Sequence, residues 1–260
     1  MNIFNSQSNN LIPNRTVGAI SGSEFINNNM NLTGAKRESN ILDEFLSGNI
    51  PDFLRNFSSI NINDGNNSIT YLLMPDVLSI GSNDDYVRMP MAGGTAKKIA
   101  DHYDCTLPTK KMCDQIWQNA KIKLDPHPKG APYDNSMLSS YTYNWHNSII
   151  ESQLQNQDKT QLITGHKKDV IIDKEWLSRK DRVVIYGWFH KTGIPIQGPQ
   201  PNWVSHELHY YADYSHGIRL IAQDVIVNGN IMRIFDVLNN SKLSHLISEQ
   251  NVYDARQIYV

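Results

Sequence analysis

From about residue 39 onward the hydrophobic positions fall into a regular order. Ser39 is placed to cap a helix whose Ile41, Leu42, Phe45 and Leu46 share one face before Gly48 stops it. Pro51 suits the first turn of a second short helix running to Phe57. Three short runs of β-formers follow at 69–74, 77–80 and 86–91, with turn residues between them. Thr95 reads as the N-cap of a helix over 96–103. A further helix starts near Pro108, with Cys113, Ile116, Trp117 and Ala120 as its apolar stripe. The stretch 125–132 holds three prolines and a glycine and reads as an ordered loop. A long helix is expected from Ser136, with Met137, Tyr141, Trp145, Ile149 and Leu154 near helical period.

The pattern then changes to strands, strongest at 170–172, 182–189 and 217–222. Asn228-Gly229 is a type I′ hairpin signal joining 225–227 to 231–235, and Ser241 is placed to cap a last helix through Ile247. There is no repeat at a fixed period and no βαβ alternation. The expected fold is therefore α+β, a helical N-terminal half packed on a mainly antiparallel C-terminal sheet. Residues 1–35, rich in Asn and Ser with isolated hydrophobes, read as a disordered arm, because such a segment buries too little apolar surface to offset its ordering entropy. Residues 36–260 read as a single globular domain.

Composition narrows the function classes. With 24 basic and 26 acidic residues the formal charge is −2, so no global field exists to hold nucleic acid, and no nucleic-acid partner is expected. No stretch approaches the roughly 18 apolar residues of a membrane span. The opening residues Met1 to Ser6 carry neither the basic nor the apolar region of a classical secretion signal. A soluble protein, cytoplasmic or exported by a non-classical route, is the expectation. The two cysteines, Cys105 and Cys113, are poorly spaced for a disulfide and too few for a thiolate zinc cage.

The chemistry-bearing residues concentrate in 205–219, which holds three His, one Glu, one Asp, three Tyr and one Arg. Asp213 and His216 have the residue types of an orienting carboxylate and a base. Three positions apart they fall on opposite faces of an extended strand, so they meet only if Tyr214 and Ser215 bend. The bland alternative is a polar loop entering a strand. A metal reading uses His206, His209, Asp213 and His216, which share one face if the segment is helical and suit zinc or another divalent metal; otherwise no cofactor is expected. In Gly165-His166-Lys167-Lys168-Asp169 the lysines read first as a solvated strand rim, and second as a cationic clamp for a substrate carboxylate or phosphate. Arg219, among apolar neighbours, needs a buried partner, either a carboxylate of this chain or a ligand anion. Cys105, just ahead of the helix near Pro108, has the position of a dipole-activated thiol, or of a small half-buried hydrophobe. Cys113, on that helix's apolar stripe, reads as core.

Two resemblances attach to these residues, each covering under a tenth of the chain. Ser215-His216-Gly217-Ile218-Arg219-Leu220 resembles the Ser-His-Gly-Cys-x-Arg motif of bacterial L,D-transpeptidases, with the motif's nucleophilic cysteine absent. Asp104-Cys105-Thr106 ahead of a helix, with His216-Gly217-Ile218 opening a strand, resembles papain-like cell-wall endopeptidases. Blocks such as Leu107-Pro108-Thr109 and Gly165 to Asp169 also look like those of uncharacterised bacterial proteins. The second resemblance implies a hydrolase or transferase acting on an amide bond of a peptide or peptidoglycan. In that reading Cys105 is the nucleophile, His216 the base and Asp213 the orienter, while Arg219, Lys167, His166 and Tyr214 contact a peptide or glycopeptide substrate. The alternatives are a metal-dependent hydrolase built on the 206–216 histidines and a non-catalytic binding domain.

Overall fold

The structure, a computed structural model, describes residues 11–178, 180, 182–202, 211–251 and 253–259. Ser21 opens the first helix, α1 (Gly22–Asn28), its hydroxyl accepting a hydrogen bond from the Glu24 amide. Helix α1 buries Phe25 and Ile26 completely, and Ile12 lies in the same core. The expected arm therefore does not extend through 11–35. Its isolated hydrophobes are enough because the backbone approaches so closely: a Cβ on Gly22 would lie 2.5 Å from the Tyr86 Cα. Ser23 adds hydrogen bonds to the Asp85 carboxylate.

Helix α2 (Gly34–Leu46) starts earlier than Ser39 and turns Ile41 and Phe45 inward. After a 3-10 turn at Asp52–Arg55, where Pro51 had suggested a helix to Phe57, come β1 (Ser58–Asn63) and β2 (Ser68–Leu73), an antiparallel hairpin. A second hairpin pairs β3 (Ser79–Gly81) with β4 (Tyr86–Arg88). Next are α3 (Gly93–His102), β5 (Cys105–Thr106), α4 (Lys110–Asn119) and β6 (Ile122–Lys123). Then follow α5 (Ser140–Gln153), β7 (Ile163–Thr164), β8 (Lys168–Val170) and α6 (Glu175–Ser178). The remaining strands are β9 (Val183–Phe189), β10 (Pro195–Asn202), β11 (His216–Gly217), β12 (Ile221–Ala222), β13 (Asp224–Val227) and β14 (Asn230–Arg233), with α7 (Ile234–Leu238) last. Helix α7 takes the residues assigned to the end of a strand at 235, and the Ser241 helix is only a 3-10 turn at Ser244–Leu246. No described helix is long and apolar enough to cross a membrane.

The fold is α+β. Its larger sheet runs β14-β13-β2-β12-β5 with β1 on the free edge of β2, all antiparallel, so strands of the first half (β1, β2 and β5) join those of the C-terminal third. The smaller sheet runs β10-β9-β8-β11, with β11 parallel to β8. The β13–β14 turn has Asn228 at φ 50° and Gly229 at φ 83°, the two left-handed positions a type I′ turn requires. One hydrophobic cluster extends from Ile12 to Tyr259 across both sheets.

Helix α5 is rotated from its expected setting. Its buried face is Tyr143, His146, Asn147 and Ile150, whereas Tyr141 is 68% exposed and Trp145 half-buried. The rotation turns an imidazole, rather than an indole, toward the interior.

Candidate functional site

The run from His216 to Ala222 belongs to both sheets. His216 and Gly217 pair with Lys168 and Asp169 of β8. The Ile218 and Leu220 carbonyls accept from the Leu78 and Met74 amides, and Ile221 pairs with Leu73 of β2. At the start of this run, Tyr214 and Ser215 form a turn. The Asp213 carboxylate accepts from both the Ser215 amide (2.7 Å) and its hydroxyl, and its backbone carbonyl accepts from the His216 amide (3.0 Å). That bend returns the His216 ring to Asp213, with Nε2 3.5 Å from Oδ2.

His216 is fully buried, and among the described residues neither ring nitrogen has a hydrogen-bond partner. Burial lowers its pKa to about 4; the adjacent Asp213 opposes this, and Lys168 and Lys167 reinforce it. Burial alone would raise Asp213, but the field of His216 and Lys168 and the Ser215 hydrogen bonds carry it below the usual carboxylate range. Tyr211, half-buried, places its ring 5.7 Å from that of His216.

The Gly165-His166-Lys167-Lys168-Asp169 block supplies the other wall, and the solvated-rim reading fails for Lys167. This lysine is 4% exposed, and its Nζ donates to the Tyr214 carbonyl. It is drawn in because Gly217 lies over it without a Cβ, which would sit 2.8 Å from the Lys167 Cβ. Burial and the nearby Arg88 bring its pKa down to about 7, against the pull of Asp213 and Asp76. Lys168 is half-buried, with Nζ 5.0 Å above the Trp188 ring. His166 Nε2 lies 2.8 Å from Asp76 Oδ1, and Asp76 is held in turn by Arg88 Nε (2.8 Å) and Nη2 (2.7 Å). Arg88 continues to Glu151 (2.7 Å), which meets Lys159 near the surface (2.7 Å).

Opposite stands His146 of α5, fully buried, with both ring nitrogens unpartnered among the described residues. Its ring packs against Tyr214 at 4.9 Å, with Trp145 and Trp188 at 6.0 and 6.2 Å. Burial, and the field of Lys167 and His166, hold it far below the ordinary imidazole range. Tyr214 is buried, and its hydroxyl accepts from the Lys129 amide (2.6 Å). Arg219 finds its buried partners within this chain: Nη1 and Nη2 donate to the Met74 and Ile163 carbonyls (2.8 and 2.7 Å), and Nε is 3.8 Å from Asp169. It is therefore not available to hold a substrate carboxylate.

Cys105 is placed elsewhere. It lies on β5 opposite Ala222, six residues beyond His216 along the chain, and its thiol donates to the Tyr103 carbonyl (3.3 Å). Helix α4 begins only at Lys110, capped by Thr109, so its dipole does not reach the thiol. Burial, followed by the neighbouring Asp104, pushes the Cys105 thiol far up. A surface cavity of about 310 Å³ adjoins Cys105, rimmed by the ion pairs Arg233–Asp104 and Lys97–Asp101 and containing none of the His216 cluster. The expected Cys105–His216 pair is thus not assembled. Cys105 belongs to the larger sheet, paired with Ala222, whereas His216 belongs to the smaller sheet, paired with Lys168. Cys113 is core, as its stripe implied, and faces Asp169.

For the metal reading, His206 and His209 lie outside the described residues. Among the described residues no group of three His, Cys, Asp or Glu is placed to hold a metal ion. Asp76, Arg88 and His146, which complete the cluster, were not singled out in the sequence. The available signals were Arg88 inside the apolar run 86–91 and His146 one position from an expected stripe. No family model, no curated protein and no solved structure matches this chain, so the chemistry of the cluster is read from its own geometry.

Proposed function

We propose that this chain is a hydrolase or transferase acting on an amide bond, with His216 as the acid–base group and Asp213 as its orienting carboxylate. The observation that carries this is a buried imidazole whose two nitrogens have no hydrogen-bond partner among the described residues, beside a committed carboxylate and a lysine that meets no carboxylate among those residues. Such a ring accepts the proton of an attacking water or other nucleophile as the new bond to the carbonyl carbon forms. It then returns that proton to the departing nitrogen as the carbon–nitrogen bond breaks. Amides need this second step because an unprotonated amine leaves poorly. The 3.5 Å spacing to Asp213 is of the kind that tightens when the ring becomes charged. Cys105 has no part in this scheme.

The test is an amine-release assay over a panel of N-acyl amino acids and short peptides, comparing wild type with His216→Ala, Asp213→Asn and Cys105→Ser. His216→Ala is expected to lose about 10²-fold or more, with Cys105→Ser close to wild type. Loss of activity in Cys105→Ser, with retention in His216→Ala, would return the chemistry to the thiol. Absence of turnover by wild type on every amide would remove the amide reading.

A further inference from the structure

We infer that the same cluster contains a subsite for a substrate carboxylate, held by Lys167 and His146 with Lys168 at its mouth. The inference builds on reading the cluster as a substrate site, but binding is measured without turnover, so the two stand or fall separately.

Donors outnumber acceptors in the cluster. Among the described residues, the carboxylates whose fields reach Lys167 are Asp76 and Asp213, and both are engaged. Asp76 is shared by Arg88 and His166. Asp213 accepts twice from Ser215 and lies beside His216 and the Tyr211 hydroxyl. What remains is donor-rich. A lysine ammonium has three N–H donors, and Lys167 has one described acceptor, the Tyr214 carbonyl. A neutral imidazole has one N–H, and His146 has no described acceptor for it. Buried polar groups are paired in the great majority of cases, so the unpaired His146 imidazole, packed among Trp145, Trp188 and Tyr214, and the Lys167 ammonium on the Tyr214 carbonyl together describe the complement of an acceptor.

The charge of that acceptor follows from its neighbours. Of the charged groups, Lys167, the adjacent Lys168 and Arg88 stand against Asp76 and Asp213, while burial keeps His146 and His216 neutral, so that they add donors without charge. An anion relieves this imbalance and a neutral group does not. Two-oxygen geometry is favoured over a phosphate because the guanidiniums of Arg88 and Arg219 are already engaged: Arg88 by Asp76 and Glu151, and Arg219 by two backbone carbonyls. In the substrate this places a free carboxylate beside the amide, as at the C-terminal end of a peptide. Bound there, the carboxylate holds Lys167 in its charged form.

The experiment titrates the full chain with N-acetylglycine, its neutral isostere N-acetylglycinamide, and inorganic phosphate, following His ring resonances by NMR at pH 6 to 9. N-acetylglycine is expected to bind at least about tenfold more tightly than the amide, the value of one charged contact of ~1.4 kcal/mol. Its affinity should weaken about tenfold per pH unit above about 7, as the Lys167 charge is lost. Lys167→Met should abolish the preference, and Lys242→Met, an exposed site, should keep it. Equal affinity for acid and amide on wild type would overturn the inference even if Lys167→Met proved unstable. So would tighter binding of phosphate, or a preference that survives Lys167→Met.

Discussion

Replacing Asp76 by Asn tests the charge chain behind the site most directly. Asp76 and Arg88 side chains are 1% and 0% exposed, and the carboxylate meets Arg88 through two nitrogens and His166 through a third. Burial alone would raise Asp76, but Arg88 first and then His166 hold it far below the ordinary carboxylate range. Asn keeps the shape and removes the charge, leaving Arg88 inside the protein with Glu151, 30% exposed, as its carboxylate partner and the Asn147 Oδ1 as a neutral acceptor. Breaking a buried pair from one side costs about 3–5 kcal/mol. Because Glu151 stays, the lower end applies, about 3 kcal/mol. For a chain of this size that lowers Tm by about 6–12 °C, at ~2–4 °C per kcal/mol. Urea unfolding should show the lost stability as a lower midpoint at unchanged slope. Removing both charges, as Asp76→Leu with Arg88→Met, should recover part of the loss, because the desolvation of two ions goes with them. The pH dependence has a definite sign. A carboxylate whose folded pKa is depressed contributes stability fully above its unfolded value of about 4, and loses it as pH falls toward the folded value. The stability difference between wild type and Asp76→Asn should therefore shrink below about pH 4. A loss under about 1 kcal/mol, or a double variant no more stable than the single, would refute the buried-pair reasoning.

Other outcomes follow from the same geometry. If turnover is found, kcat/KM should be bell-shaped, rising as His216 loses its proton near 4 and falling as Lys167 loses its own near 7; a flat profile over that window would disconnect both groups from catalysis. Iodoacetamide at pH 8 should leave Cys105 and Cys113 unmodified in the native protein and label both in denaturant, since each is 1% exposed with its thiol pushed up by burial. Fast native labelling of Cys105 would contradict its placement on β5. Phe25→Ala should cost about 3–5 kcal/mol in urea unfolding if α1 is part of the core, whereas a flexible segment there would give almost nothing.

Much of the fold was legible where local chemistry decides it. The stripe of Cys113, Ile116 and Trp117 lies on α4, and Asn228-Gly229 makes the β13–β14 turn. Strand β10 was hidden by Pro195, Pro199 and Pro201, which the sheet accommodates because β10 is its edge. Strand β1, Ser58–Asn63, alternates around one buried residue, Ile60, too weak a signal among Ser and Asn. In the site, Asp213 and His216 were legible because a local bend brings them together. Asp76, Arg88 and His146 come from separate elements, and nothing local marks their convergence. The register of α5 depended on tertiary packing, so periodicity alone put Trp145 where His146 stands.

The segment His216–Ala222, which belongs to both sheets, also sets how the site moves. Its amides and carbonyls are anchored to β8 on one side and to the Leu73–Leu78 stretch on the other. Amide hydrogen exchange along this run should therefore proceed only with opening of the whole core, at the slow, globally limited end of the range. The imidazole that begins it is held by this doubly anchored run, so motion that admits a substrate comes from the half-buried side of the cluster, where Tyr211, Lys168 and Trp145 lie.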